Sequence, residues 1–129
     1  MQILGIGVDI VENSRIKKSL RNKLFISRIF TQSEIADAKK KRNKTNYYSK
    51  RFAAKEAFAK SINTGFVNRL NFKDITVVNN KAGKPSFVIT NKLKMIIKKQ
   101  FKISSYKFFL SISDEKKYSI AYVILQKTR

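Results

Sequence analysis

Apolar and polar positions alternate with two different periods along this chain. Residues 2–11 read as a buried strand: Ile3, Leu4, Ile6, Val8, Ile10 and Val11 supply the apolar positions. Gly5 and Gly7 leave room for another backbone to approach, and Asp9 is the one acid inside the run. Asn13 or Ser14 then suits the cap of a helix through Arg15, Ile16 and Leu20. Its polar face is basic, with Arg15, Lys17, Lys18 and Arg21, and the bases continue to Lys23 and Arg28. Thr31 followed by Glu34 is a capping box opening a helix through Ile35, Ala36 and Ala38. After a break at residues 43–46, an Ala-rich helix is predicted over 47–62, stopped by Asn63, Thr64 and Gly65.

From Leu70 the period shortens. Phe72, Ile75, Val77 and Val78 suggest a strand, residues 79–85 a turn, and residues 86–90 a returning strand. Asn91 suits the cap of a helix containing Leu93, Ile96, Ile97 and Phe101. Two last strands, 106–113 and 118–126, flank a polar turn at 114–117. The pattern predicts an α+β fold with at least two hairpins, in which an antiparallel sheet packs on the long central helix. The length of 129 residues, without linker or repeat, predicts a single domain over 1–129.

Composition narrows the chemistry. The chain has no Cys and no His, which removes disulfides, thiolate nucleophiles, the commonest general base and most zinc sites. Lys and Arg number 29 against 8 acids, a net charge of +21, which favours nucleic acid, phosphorylated small molecules or an acidic protein. Lys greatly outnumbers Arg, a bias that an AT-rich genome also produces, so the charge is weaker evidence of function than its size implies. The first residues lack a basic leader, and the longest apolar run, 120–125, is too short to span a bilayer. These features predict a cytoplasmic protein away from the membrane.

With so few acids, Asp9 and Glu56 stand out. On a helix, Phe52, Glu56, Ala59 and Lys60 share one side. That side reads either as an amphipathic core helix with an exposed Glu–Lys pair or as the wall of a site. Asp9 reads either as a solvent-facing or turn-capping residue or as an oxygen ligand on a rigid strand. A small nucleic-acid-binding protein accounts for the charge, but not for two acids on apolar elements.

The motifs resemble those of one family. Gly5-Ile6-Gly7-Val8-Asp9-Ile10 followed by Arg15-Ile16 is similar to the opening of holo-acyl-carrier-protein synthases. Arg28-Ile29-Phe30-Thr31-x-x-Glu34, Arg51-Phe52-Ala53-Ala54-Lys55-Glu56-Ala57-Phe58-x-Lys60, Gly65, Leu70-x-Phe72-x-Asp74-Ile75, Gly83-Lys84-Pro85 and Leu110-Ser111-Ile112-Ser113-Asp114-Glu115 follow in family order. The resemblance covers nearly the whole chain.

It implies the phosphopantetheinyl transferase fold. It also implies transfer of the 4′-phosphopantetheine arm of coenzyme A to a serine of apo acyl carrier protein, supporting fatty acid biosynthesis. Adenosine 3′,5′-bisphosphate would leave, with magnesium required. By resemblance, Asp9 and Glu56 are the magnesium ligands, and Glu56 and Lys60 are catalytic. Arg51, Lys60, Gly65 and Lys84 would contact coenzyme A, while Arg15, Arg21 and Arg28 would dock the acidic carrier. A homotrimer with shared sites and no nucleic-acid partner complete the expectation. Three positions depart from the family: Phe109 and Asp114 stand where many members carry His, and Asn63 replaces a frequent glycine. A His base is therefore excluded, leaving a metal-bound water or Glu56 acting through water.

Overall fold

The structure, a computed structural model, describes residues 2–63 and 70–129. Strand β1 (Gln2–Glu12) leads into three short helices, α1 (Asn13–Ser19), α2 (Lys23–Ile29) and α3 (Gln32–Ala38). The long helix α4 (Lys44–Ser61) follows, and a single 3-10 turn, Phe72–Asp74, precedes the hairpin β2 (Thr76–Asn79) and β3 (Pro85–Val88). Helix α5 (Asn91–Phe101) and the hairpin β4 (Tyr106–Asp114) and β5 (Tyr118–Lys127) close the chain. The main sheet has the order β1-β5-β4, and β2-β3 forms a second sheet; every pairing is antiparallel. The predicted α+β architecture and both predicted hairpins are present.

One face of the main sheet packs on α4. Ala121 and Val123 of β5 are fully buried against Ala53, Ala54 and Ala57 of α4. Small side chains on the helix let sheet and helix lie close. Phe58 anchors the adjoining core among Ile62, Leu70, Ile75, Leu93 and Ile97. Its ring lies 4.6 Å from that of Phe108 and 4.8 Å from that of Phe87. Burying one such ring stabilises the fold by roughly 2–3 kcal/mol. A third cluster joins α1, α2 and α3 to the start of α4 through Ile16, Phe30, Tyr47 and Tyr48.

The opposite sheet face is apolar and uncovered. Ile6 and Ile10 of β1 are 54% and 59% exposed, beside Val8 and, on β5, Ile120 and Tyr122.

Several boundaries differ from the sequence reading, each for a local reason. Neither Asn13 nor Ser14 caps α1; the cap is Glu12, whose side chain makes no capping bond. Asn13 instead clasps the β4–β5 turn, donating to the carbonyls of Glu115 and Lys116 and accepting from Ser119. Helix α2 is a separate element, capped by Asn22, that the periodicity did not reveal. The break expected at 43–46 is the first turn of α4, with Asn43 accepting from the Asn46 N–H. Phe72 lies in the 3-10 turn rather than in a strand, and the second hairpin strand is Pro85–Val88. Thr90, not Asn91, caps α5. Asn63 adopts φ 62°, the left-handed conformation that ends a helix; Thr64 and Gly65, also assigned to that stop, lie outside the described residues.

Candidate functional site

Two glycines bring β1 onto α4. A Cβ on Gly5 would stand 1.7 Å from the Ser61 carbonyl oxygen, and one on Gly7 1.8 Å from that of Ala57. Strand side chains alternate, so Asp9 points to the same face as Gly7. On the helix, Glu56 and Lys60 immediately precede the two residues β1 touches. Asp9, Glu56 and Lys60 therefore meet along one seam.

Lys60 donates to the Val8 carbonyl at 2.9 Å and to Asp9 Oδ1 at 3.2 Å. Its side chain stays 52% exposed, while that of Asp9 is 16% exposed. Burial raises the Asp9 pKa above the usual carboxylate value, and the Lys60 bond and charge oppose that shift. Burial also raises the Glu56 pKa; the Asp9 charge pushes it further up, and Lys60 pulls it back. Two half-buried carboxylates, the Asp9 charge opposing ionisation of Glu56, could serve as a donor pair for a hard dication completed by phosphate oxygens and water. Among the described residues no set of three or more His, Cys, Asp or Glu groups together, so the pair is the whole side-chain donor set there.

The four helix positions grouped on one side from the sequence divide between core and site. Phe52 stacks between Phe25 and Phe72, Ala59 faces the core, and only Glu56 and Lys60 border the β1 seam. The reading of α4 as an ordinary amphipathic helix fails too, because Arg51, Ala53, Ala54, Lys55, Ala57, Phe58 and Ala59 are all buried.

Arg51 lies elsewhere, about 140° around α4 from Glu56. Its guanidinium sits 4.0 Å over the Tyr47 ring and donates to Asn79 Oδ1 at 2.5 Å. It borders a cavity of about 450 Å³ with Lys41, Arg42, Lys50 and Lys81 around it. The Arg51 Nε is buried without a hydrogen-bond partner among the described residues. Five cations and no acid on its walls suit this cavity to a phosphate-bearing ligand. Gly83 lines the cavity, and Lys84 follows it in a turn fastened by Asn80. Sequence reasoning found Arg51 but missed Lys41, Arg42 and Lys50. The signal for Lys41 and Arg42 was the basic string before α4, which reads alone as a solvated end; Lys50 lies within α4 and had none. Gly65 lies outside the described residues.

Arg15 is exposed on α1, Arg21 between α1 and α2, and Arg28 in the last turn of α2. None of the three is in an ion pair among the described residues. Between Arg21 and Arg28 stands Leu24, 60% exposed, an apolar contact point that the sequence reading missed with its helix. Asp114, at one of the departing positions, accepts a bond from the Asn46 side chain at the start of α4. An acid there complements the positive end of the helix dipole.

Residues 5–123 match the family model described as the 4′-phosphopantetheinyl transferase superfamily. A holo-[acyl-carrier-protein] synthase of Pelagibacter ubique is 72% identical over 127 residues, covering 98% of this chain and 99% of the relative. One from Ehrlichia chaffeensis is 46% identical, with coverage of 95% and 96%. The crystal structure of the Neisseria meningitidis holo-[acyl-carrier-protein] synthase superposes with a TM-score of 0.88 at 37% identity, covering 98% of this chain and all of that one. A Bacillus anthracis holo-(acyl-carrier-protein) synthase, in complex with CoA (3′,5′-ADP), gives 0.83 at 35% identity, with coverage of 99% and 100%.

Proposed function

This chain belongs to the holo-[acyl-carrier-protein] synthases of the 4′-phosphopantetheinyl transferase superfamily, and we propose that Asp9, Glu56 and Lys60 carry its chemistry. It is a phosphopantetheinyl transferase, moving the 4′-phosphopantetheine of coenzyme A to a serine of apo acyl carrier protein, a step that serves fatty acid biosynthesis. The nucleic-acid-binding alternative finds no support in these relatives.

In the transfer, the serine oxygen forms a bond to the β-phosphorus of the coenzyme. The bond from that phosphorus to the bridging oxygen breaks, and adenosine 3′,5′-bisphosphate leaves. Asp9 and Glu56 fit magnesium, which when bound would offset negative charge on the pyrophosphate. Lys60, half-exposed beside Asp9, is placed to bond the same phosphates. Glu56 is the base this chain offers in the absence of His, taking the serine proton through a water.

The Arg51 cavity takes the phosphate-bearing nucleotide end, with Lys84 at its border and Gly65 assigned to the coenzyme by family likeness. Arg51 and Glu56 face different ways on one helix, and the uncovered face of the main sheet is apolar. A homotrimer would cover that face and bring one copy's cavity to the next copy's carboxylates. Arg15, Arg21 and Arg28, in no ion pair among the described residues, offer positive charge to an acidic carrier. The whole chain acts as one domain, in the cytoplasm; among the described residues no helix is long and apolar enough to cross a membrane.

The observation that carries this reading is the Lys60–Asp9 bond beside a Glu56 that feels the Asp9 charge. Mass spectrometry of apo carrier protein incubated with this protein, coenzyme A and magnesium tests it. One added phosphopantetheine per carrier supports the reading, and an unmodified carrier at every magnesium concentration removes it.

A further inference from the structure

Lys55 has no exposed surface, and the chemistry above makes no use of it. Its ammonium has three protons and three acceptors. Glu34 Oε1 lies at 2.6 Å, the Ile29 carbonyl at 2.7 Å and the Phe72 carbonyl at 3.1 Å. Glu34 is 1% exposed and equally engaged: Oε1 accepts the Thr31 N–H at 2.9 Å and Oε2 the Val77 N–H at 3.0 Å. Burial pulls the Lys55 pKa down, and the Glu34 charge opposes that shift.

A buried ion pair gains little net stability over apolar residues of equal size. What it supplies is direction. This pair ties α4, one residue before Glu56, to the end of α2, the cap of α3, the Phe72–Asp74 turn and β2. The remaining links between α2 and α4 are apolar: Phe52 stacks on Phe25 at 6.1 Å, and Ile29 and Phe30 pack against Tyr47 and Tyr48. Rings packed face to face tolerate sliding; a three-point ammonium does not. Ile29 ends α2, next to Arg28 and one helix length from Leu24.

We infer that Lys55, paired with Glu34, is a positioning residue for the carrier protein. It holds the α2 surface bearing Leu24 and Arg28 at a fixed place relative to Glu56. The inference rests on the docking role given above to that surface. Two of the three Lys55 bonds run to α2 and α3 and the third to the Phe72 carbonyl, whereas Asp9 and Lys60 lie on the β1 side, so its loss displaces the docking surface before it displaces the carboxylates.

Steady-state kinetics with apo carrier and coenzyme A varied separately tests this on Lys55→Met, Glu34→Gln and Arg28→Glu, with melting curves to establish the folded fraction. Both pair variants should raise the carrier KM roughly tenfold or more, as misplacement remote from the chemistry does. Their coenzyme A KM should stay within about twofold, the sign that binding of that substrate is untouched. Glu34→Gln keeps the ammonium and its two carbonyl bonds, and decides alone if Lys55→Met does not fold. An unchanged carrier KM in a folded pair variant, with Arg28→Glu raising it, overturns the positioning role and leaves docking intact. So does a coenzyme A KM that rises in step with the carrier KM, which marks general loosening. A wild-type carrier KM in Arg28→Glu removes the docking surface, and this role with it.

Discussion

Gly7 lies so close to Ala57 that a Cβ added to it would meet the Ala57 carbonyl oxygen at 1.8 Å. That clash is with backbone, which cannot turn aside as a side chain does. Gly7→Ala must push β1 off α4, parting Asp9 from Glu56. The variant should lose about 3 kcal/mol of stability, the upper range for overpacking. It should also lose most transfer activity while still folded at low temperature. Chemical denaturation and a transfer assay on the same sample check both.

Asp9 and Glu56 make a second prediction through pH. Both carboxyls have folded-state pKa values above their ordinary 3.8 and 4.5. The folded protein therefore binds these protons more tightly than the unfolded chain. Without metal, their contribution to stability falls as pH rises through the window just above those ordinary values. Glu56→Gln should gain melting temperature over wild type as pH climbs from 4 toward neutrality, and added magnesium should erase that gain. A difference that does not change with pH would deny the shared neighbourhood of the two acids.

Lys60 opposes both shifts, so its removal has a defined sign. In Lys60→Met the two carboxyls rise further. The acid limb of the pH profile for transfer should move to higher pH, with turnover lower by roughly 100-fold from the lost phosphate contact. An acid limb that stays in place would separate Lys60 from the pair.

Arg15→Glu should reduce carrier kcat/KM about tenfold while leaving the coenzyme A KM unchanged, and the wild-type carrier rate should fall as salt is raised. A salt-independent carrier rate would count against electrostatic docking.

The uncovered apolar sheet face gives a test of assembly. Tyr122→Glu places a charge on it next to Val8, its partner across the strands. Sedimentation should show a trimer for wild type and a monomer for this variant, with coenzyme A binding lost along with assembly. A monomeric wild type that binds coenzyme A would refute shared sites.

Much of this was legible in the residues. Gly5 and Gly7 announced a close approach, and the Thr31–Glu34 box announced a helix start. Asp9 and Glu56 drew notice as acids on apolar elements. What the sequence hid was tertiary. The second oxygen of Glu34 serves Val77, 43 residues away, and no spacing rule reports that. Asn13 has the residue type of a cap but is held by a turn more than 100 residues later. Helix α2 is short and bounded by bases, so its period never emerges. Helical spacing alone turns Arg51 away from Glu56, but only the fold shows that Arg51 meets Asn79 and the basic cavity.

The central claim is that Asp9 and Glu56 jointly hold the metal. Its most direct test is the rate of phosphopantetheine transfer against magnesium concentration for wild type, Asp9→Asn and Glu56→Gln. The account predicts no transfer by the chelated wild type and a saturable rise with magnesium. It also predicts that each variant, though folded, stays at least ~100-fold slower at metal levels that saturate wild type. Near-normal turnover by either variant, or full activity of the chelated wild type, would contradict it.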